Sequence, residues 1–181
     1  PVSCRDEIKA TLGDMVMKKI IAPVEEPTEW AHPLVVVPKS KGGWRLCVDL
    51  TKLNKFIKRP YHPLTTPRDA LQSVATGAKW FTTLDATSGY WQVELEESSQ
   101  DLTTFISPWG RYKFLRAPMG LSSSQDEYCR RGDAALSGIK NVSKVVDDIL
   151  VHSSSSQAHL DDVVKVLERC RTHQITLNPK K

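Results

Sequence analysis

Apolar positions recur along this chain with two periods, and the changes of period mark its elements. Ile8, Leu12, Met15 and Val16 share one face of a helix over residues 5–20, which Gly13 weakens and Pro23 ends. Residues 25–33 are punctuated by proline and read as an extended linker. Leu34–Val37 and Trp44–Asp49 predict two strands around a Lys39–Gly43 hairpin loop. Alternation on the second puts Arg45, Cys47 and Asp49 on one face and Trp44, Leu46 and Val48 on the other. Thr66, Pro67 and Gly77 stand at the N-cap, N1 and C′ positions of a short helix. Lys79–Leu84 predicts a strand running into Asp85, and Gln92–Leu95 and Leu102–Ser107 predict strands on either side of an acidic loop. Arg111–Leu115 follows as a strand, and 123–137 as a helix. A hairpin is predicted around Lys144–His152, then an amphipathic helix carrying Leu160, Val163, Val164 and Leu167, and a last strand Ile175–Leu177. From residue 79 the order is strand, strand pair, helix, hairpin, helix, strand. Helices gathered on one face of an antiparallel sheet make this an α+β fold rather than a doubly wound one.

The polar interruption in the hairpin is Asp147-Asp148, set within the run Lys144–His152. On a regular strand, adjacent acids point to opposite faces, and one would be buried unpaired. A bend at the pair avoids this, but two carboxylates 4 Å apart still repel by roughly 4 kcal/mol at an effective dielectric near 20. A divalent cation such as Mg²⁺ removes that penalty, since it prefers hard carboxylate oxygens. Asp161-Asp162 is the same dipeptide in a plainer setting, early in a helix, where acids suit the positive end of the dipole.

Composition narrows the partner. Hydrophobic residues make up 40% and charged residues 25%, ordinary for a soluble globular chain of 181 residues. Lys39–Arg59 holds seven basic residues and one acid within a chain of net charge +4, so positive charge is concentrated there. A basic stretch beside acidic clusters suits a polyanion and a metal site. Cys4, Cys47, Cys129 and Cys170 are scattered and form no C-x-x-C pair, which predicts reduced thiols rather than disulfides or zinc ligands. No apolar run reaches the length of a membrane span, and no signal peptide opens the chain. The ends read as cut, with no initiating Met and a stop just after an apparent strand.

A third acid completes the pattern. Asp85 closes the apolar strand Phe81–Leu84 and is followed by small residues and Gly89, which let a ligand or another backbone approach closely. Leu84-Asp85-Ala86-x-x-Gly89-Tyr90-x-Gln92 is succeeded by Ala117-Pro118-Met119-Gly120-Leu121, then Val145-Val146-Asp147-Asp148, then Leu177-Asn178-Pro179-x-Lys181. Upstream lie Trp30-x-x-Pro33-Leu34-Val35-Val36-Val37 and Trp44–Leu50 with Leu53-Asn54. In this order the motifs resemble those of reverse transcriptases, in particular the polymerases of gypsy-type LTR retrotransposons, over nearly the whole chain.

That resemblance implies the fingers and palm of a right-hand polymerase, the palm an antiparallel sheet with helices on one face. Residues 1–60 and 93–122 would be fingers and 61–92 and 123–181 palm, with thumb and ribonuclease H beyond Lys181. It implies addition of dNTPs to a primer 3′-hydroxyl on an RNA or DNA template with two Mg²⁺ ions, or Mn²⁺ in their place. Asp85, Asp147 and Asp148 would hold the metal, and Lys181 would be the acid for the leaving pyrophosphate. Arg45, with Lys39 or Lys41, would reach the triphosphate. Tyr90 would sit under the sugar, and Ala86, Met119 and Gly120 would line the nucleotide pocket. Lys52, Lys55, Lys58 and Arg59 would hold template backbone, while Asp49 is expected to pair with a basic neighbour. Ribonuclease H and integrase regions of one polyprotein would be partners, and virus-like particles in the cytoplasm the setting.

The chain departs from the pattern at four places: Val145 replaces the usual Tyr, Met119 an aromatic, Ser123-Ser124-Gln125 the usual Asn-Ala-Pro, and Thr51 an Arg. None of these removes a carboxylate. The alternative reading is an inactive or domesticated remnant that folds and binds nucleic acid without catalysis. On either reading the isolated fragment, without its thumb, is expected to be inactive. A phospho-acceptor signalling domain, the third reading, needs alternating βα units that the element order does not provide.

Overall fold

Helix α1 (Arg5–Met17) buries Ile8, Leu12 and Met15, the face expected from their spacing. It belongs to the first of two units in a computed structural model that describes residues 5–39 and 43–179. This unit comprises Pro1–Arg59 and Val93–Ser124; the second comprises Pro60–Gln92 and Gln125–Lys181.

The first unit is built on a five-stranded sheet. Its strands are β1 (Ile21–Val24), β2 (His32–Pro38), β3 (Trp44–Val48), β5 (Phe105–Ser107) and β6 (Gly110–Phe114), in the order β1-β6-β5-β2-β3. The β2–β3 hairpin is antiparallel, with Val36 opposite Leu46, and only β2–β5 is parallel. Strand β1 lies where the sequence pattern reads the end of a helix at Pro23. It is an edge strand, and an edge tolerates a proline that cannot donate to the ladder. The strand expected at Gln92–Leu95 is instead a 3-10 turn, Gly89–Gln92, followed by a single bridge between Glu94 and Arg116. The acidic loop holds a short helix, α4 (Glu97–Gln100), and of the strand expected from Leu102 only Phe105–Ser107 forms. Helix α2 (Thr51–Asn54) follows β3. Its Asn54 side chain donates to the Gly120 carbonyl and accepts from the Ser122 N–H, both at 2.8 Å.

The second unit holds an antiparallel sheet in the order β4-β8-β7, with β4 (Trp80–Asp85), β7 (Val142–Val145) and β8 (Asp148–Ser153). Leu84 lies opposite Ile149, and Thr82 opposite Val151. Paired residues share a face, and this face carries the core. Ile149 and Val151 pack with Leu136 from helix α5 (Ser122–Leu136) and with Val166 and Cys170 from α6 (Ser156–Thr172). Each fully buried aliphatic side chain there contributes about 1.5–3 kcal/mol. Helix α3 (Pro67–Gln72) starts in a capping box between Thr66 and Asp69. The strand expected at Ile175–Leu177 reduces to a bridge between Leu177 and Ala86.

Asp161-Asp162 falls in the second turn of α6, past the reach of the helix N-terminus. Asp162 is buried and accepts hydrogen bonds from Asn141 Nδ2 (3.0 Å) and Ser153 Oγ (2.9 Å), so this second acidic pair fastens a helix. Cys47, Cys129 and Cys170 are free thiols; Cys4 lies outside the described residues. No helix among those residues is long and apolar enough to cross a membrane.

Candidate active site

The three acids of the sequence pattern meet at one end of the β4-β8-β7 sheet. Asp85 is the last residue of β4, and its register partner on β8 is Asp148. Asp147 occupies the two-residue turn between β7 and β8, and its carbonyl accepts the Ala86 N–H at 2.9 Å. Two turns here are held in left-handed backbone: Ser88 at φ 50° and Val146 at φ 51°. A two-residue hairpin with positive φ only at its first central residue favours glycine there, so the β-branched Val146 is a local strain.

The Asp147 side chain turns toward Gly89 and Tyr128. Asp147 Oδ1 is buried with no hydrogen-bond partner. A Cβ on Gly89 would strike Oδ1 and stand 2.6 Å from Tyr128 Cζ, so only glycine fits. Tyr90 meets Tyr128 edge-on, with ring centroids 5.6 Å apart at 88°. Lys144 lies 6.0 Å from the Tyr128 ring centroid and pairs with Asp133 at 3.1 Å. Its stem runs past Gly132, where a Cβ would come within 2.9 Å of Cε.

Burial raises the Asp147 carboxyl above the usual range, and the charges of Asp85 and Asp148 raise it further, against opposing pulls from the neighbouring Tyr128 hydroxyl and Lys144. Burial, then the Asp147 charge, also raises the Tyr90 and Tyr128 phenols, so both rings are neutral at physiological pH.

Asp85 is steadied from the far end of the chain. The Asn178 N–H donates to the Asp85 carbonyl at 2.7 Å, and Asn178 Nδ2 donates to Asp85 Oδ2 at 3.3 Å. Gln92 ties the same two stretches together. Its Nε2 donates to the carbonyls of Thr87 (2.6 Å) and Thr176 (3.0 Å), and its Oε1 accepts the Thr176 N–H (2.9 Å). Asp148 is exposed, and Ala86 is buried with its N–H already engaged. Ala86 can therefore shape the floor of the site but has no free N–H to offer a ligand.

The donor set suits a hard divalent cation. It is all oxygen, and Asp147 Oδ1 is a buried acceptor lacking the positive partner a cation would supply. As the side chains stand, no three acidic, histidine or cysteine side chains among the described residues are grouped closely enough to hold an ion. Coordination therefore requires the carboxylates to turn toward one another from backbone positions that are already adjacent.

The first unit carries the other expected ligands. Arg45 is exposed on β3, and Gly120, at φ 93°, lies against the end of that strand, where a Cβ would be 3.3 Å from the Val48 carbonyl oxygen. Met119 beside it is 39% exposed, so an apolar surface is open to a ligand at this turn. Lys39, Lys52, Lys55 and Lys58 are exposed. Asp49, expected to pair with a base, instead accepts from the N–H and hydroxyl of Thr51, the residue that replaces the usual Arg. These hydrogen bonds hold its carboxyl below the ordinary range. Lys41 and Lys181 lie outside the described residues.

The sequence assigned no role to Tyr128, Lys144, Gln92 or Asn178, although Gln92 and Asn178 stand within the motifs that carry the resemblance. Tyr128 sits at an ordinary helical core position, and only tertiary structure brings it to Asp147.

An antiparallel sheet carrying acids at one end, backed by helices, is the palm of right-hand polymerases. Solved structures share the fold. Prototype foamy virus protease-reverse transcriptase superposes with a TM-score of 0.88 at 24% identity, over 98% of this chain and 24% of that one. The foamy viral protease-reverse transcriptase in complex with RNA/DNA hybrid gives 0.89 at 20% identity, over 100% of this chain and 24% of that one. Residues 37–181 match the family described as reverse transcriptase (RNA-dependent DNA polymerase), and the chain belongs to that family. Among its relatives, the retrovirus-related Pol polyprotein from transposon 412 of Drosophila melanogaster is 33% identical over the whole chain. The enzymatic polyprotein of cauliflower mosaic virus (strain D/H) is 32% identical over 98% of it. The chain spans 15% and 27% of the lengths of those two polyproteins.

Proposed function

We propose that this chain is the fingers and palm of an RNA-directed DNA polymerase within the polyprotein of a gypsy-type LTR retrotransposon, with residues 1–60 and 93–122 as fingers and 61–92 and 123–181 as palm. The observation that carries the reading is the gathering of Asp85, Asp147 and Asp148 at one end of the β4-β8-β7 sheet. The family match and the fold support it.

In the reaction the primer 3′-oxygen forms a bond to the α-phosphorus of a dNTP as the α–β phosphoanhydride bond breaks and pyrophosphate leaves. Asp85 and Asp147 would hold Mg²⁺, with Asp148 completing the negative cluster. Divalent ions held there supply positive charge to the attacking and leaving oxygens of an in-line displacement. Arg45 binds the triphosphate through its planar fork, with Lys39 or Lys41 adding a point charge. Met119 and Gly120 line the nucleotide pocket. The Tyr90 ring, held edge-on by Tyr128, packs under the sugar and leaves no room for a 2′-hydroxyl. Lys52, Lys55, Lys58 and Arg59 bind template phosphates without reading sequence, and Lys181 protonates the departing pyrophosphate. Ribonuclease H and integrase regions of the same polyprotein act on the product, inside cytoplasmic virus-like particles.

The test is primer extension by a polymerase that carries this chain followed by its native downstream sequence, on poly(rA) primed with oligo(dT). Extension that depends on Mg²⁺ and disappears in Asp147→Asn, with folding retained, is the expected result. Extension at the wild-type rate in that variant sinks the site assignment. Binding of the primed template without extension by the wild-type enzyme favours the non-catalytic remnant.

A further inference from the structure

Phe56 follows α2 and is 73% exposed. A lone apolar side chain on a surface is commonplace, but this one is mounted. Its ring meets Trp30 edge-on, with centroids 5.6 Å apart at 70°. Trp30 in turn stacks on His32 at 5.6 Å and 21°. His32 is buried; its Nε2 donates to the Leu102 carbonyl at 3.0 Å and its backbone N–H to the Thr104 carbonyl at 2.8 Å. Three rings thus run from the interior of the first unit to its surface and end in Phe56. The backbone beneath is fixed as well. The Phe56 N–H donates to the Leu53 carbonyl at 2.9 Å, Leu53 is buried, and Asn54 is clamped to the turn at Gly120. The surroundings are positive: residues 51–59 include Lys52, Lys55, Lys58 and Arg59 and no acid. The three lysines are exposed, and Lys52 and Phe56 have the i, i+4 spacing of neighbours on a helix surface. Asp49, the acid just before this stretch, is engaged by Thr51.

We propose that Phe56 is a stacking platform for a base of single-stranded nucleic acid, with Lys52, Lys55 and Lys58 holding the phosphates on either side. The lysines alone would accept any polyanion. The ring narrows the choice, because it is held at a fixed angle and offers a flat apolar face. An acidic peptide satisfies the charges and leaves that face without a planar partner. A duplex also satisfies the charges, but its bases are stacked on one another inside it. An unpaired strand is the polyanion that uses both features, its backbone meeting the lysines and a splayed base meeting the ring. Such a contact adds affinity without selecting sequence, since every base has a π-face. That the strand is template rests on the polymerase reading above; the platform itself serves a non-catalytic nucleic-acid-binding remnant equally well.

The test uses the polymerase with its native downstream sequence, as wild type, Phe56→Ala, Phe56→Leu, Phe56→Trp and Lys55→Gln. Fluorescence anisotropy follows binding of a short labelled oligo(dT), and of an abasic strand of the same length, over a series of salt concentrations. Phe56→Ala and Phe56→Leu are expected to bind oligo(dT) about tenfold more weakly, with the dependence of log affinity on log salt unchanged. Phe56→Trp is expected to bind as tightly as wild type. Lys55→Gln is expected to flatten the salt dependence by about 0.7 in slope, the signature of one lost phosphate contact on a single strand. On the abasic strand the Phe56 variants are expected to match wild type. Wild-type affinity for oligo(dT) in Phe56→Ala, or an equal loss on both strands, overturns the inference. Circular dichroism checks folding, and Phe56→Leu keeps bulk against Trp30 should the alanine variant not fold. Primer extension on primed poly(rA) is measured alongside. Extension by a wild-type enzyme whose oligo(dT) binding does not depend on Phe56 overturns the inference and leaves the polymerase reading intact. Phe56-dependent binding by an enzyme that never extends a primer upholds the platform and overturns the catalytic reading.

Discussion

Asn178 holds Asp85 twice, through its backbone N–H to the carbonyl at 2.7 Å and through Nδ2 to Oδ2 at 3.3 Å. The first contact fixes where the strand ends, and the second fixes the carboxylate itself. Asn178→Ala keeps the backbone bond and removes the side-chain one. Extension at limiting Mg²⁺ is expected to fall about tenfold, with thermal stability little changed. An unaltered Mg²⁺ requirement in steady-state kinetics would show that Asp85 needs no such support.

The tip of the β7–β8 hairpin stores strain at Val146, whose φ of 51° suits asparagine or glycine. A left-handed conformation costs a residue with a Cβ roughly 1–2 kcal/mol. Val146→Asn is therefore expected to raise unfolding free energy by about 1 kcal/mol in urea titrations. A lower midpoint would mean that the valine side chain packs well enough to outweigh its backbone.

Asp147 links the site to pH. Its carboxyl is raised, first by burial and then by Asp85 and Asp148, so the folded state keeps a proton that the unfolded chain has lost. As pH rises from the ordinary carboxylate pKa of about 4 through the raised folded value, the folded state loses stability. The neutral isostere Asp147→Asn is expected to melt higher than wild type at pH 7, with the difference vanishing below about pH 4. Mg²⁺ should raise the wild-type melting temperature and leave the variant unmoved. Calorimetry at both pH values decides, and equal melting temperatures at pH 7 would contradict the assignment.

Gly120 is constrained by its positive φ and by the Val48 carbonyl oxygen, 3.3 Å from where a Cβ would stand. Gly120→Ala is expected to cost about 1–2 kcal/mol of stability. It would also disturb the turn that Asn54 clamps, which a weaker dNTP affinity in filter binding would report. A variant equal to wild type in both measurements would show that the turn adapts.

The long, strongly periodic elements were legible from sequence, and so were the three acids. The Ile8–Leu12–Met15 face, the Thr66-Pro67 start of α3 and the hairpin that bends at Asp147 all follow from local rules, although α3 stops at Gln72 and does not reach Gly77. Short elements were not legible, because one or two bridges decide them. Gln92–Leu95 and Ile175–Leu177 have strand composition, but each finds only a single partner bridge. Ile21–Val24 contains a proline, which local rules read as a break, and it pairs nonetheless because it lies at a sheet edge. The acids could be singled out because charge inside an apolar strand needs an explanation. Tyr128 could not, since a buried aromatic is ordinary until the fold supplies its neighbours.

The strand register that sets Asp85 opposite Asp148 acts as a ruler with a one-residue graduation. Deleting a single residue from Val142–Val145, or adding one, would rotate every following side chain of that strand to the other side of the sheet and carry the bend away from Gly89. Length changes in this hairpin should therefore be far more damaging than most substitutions.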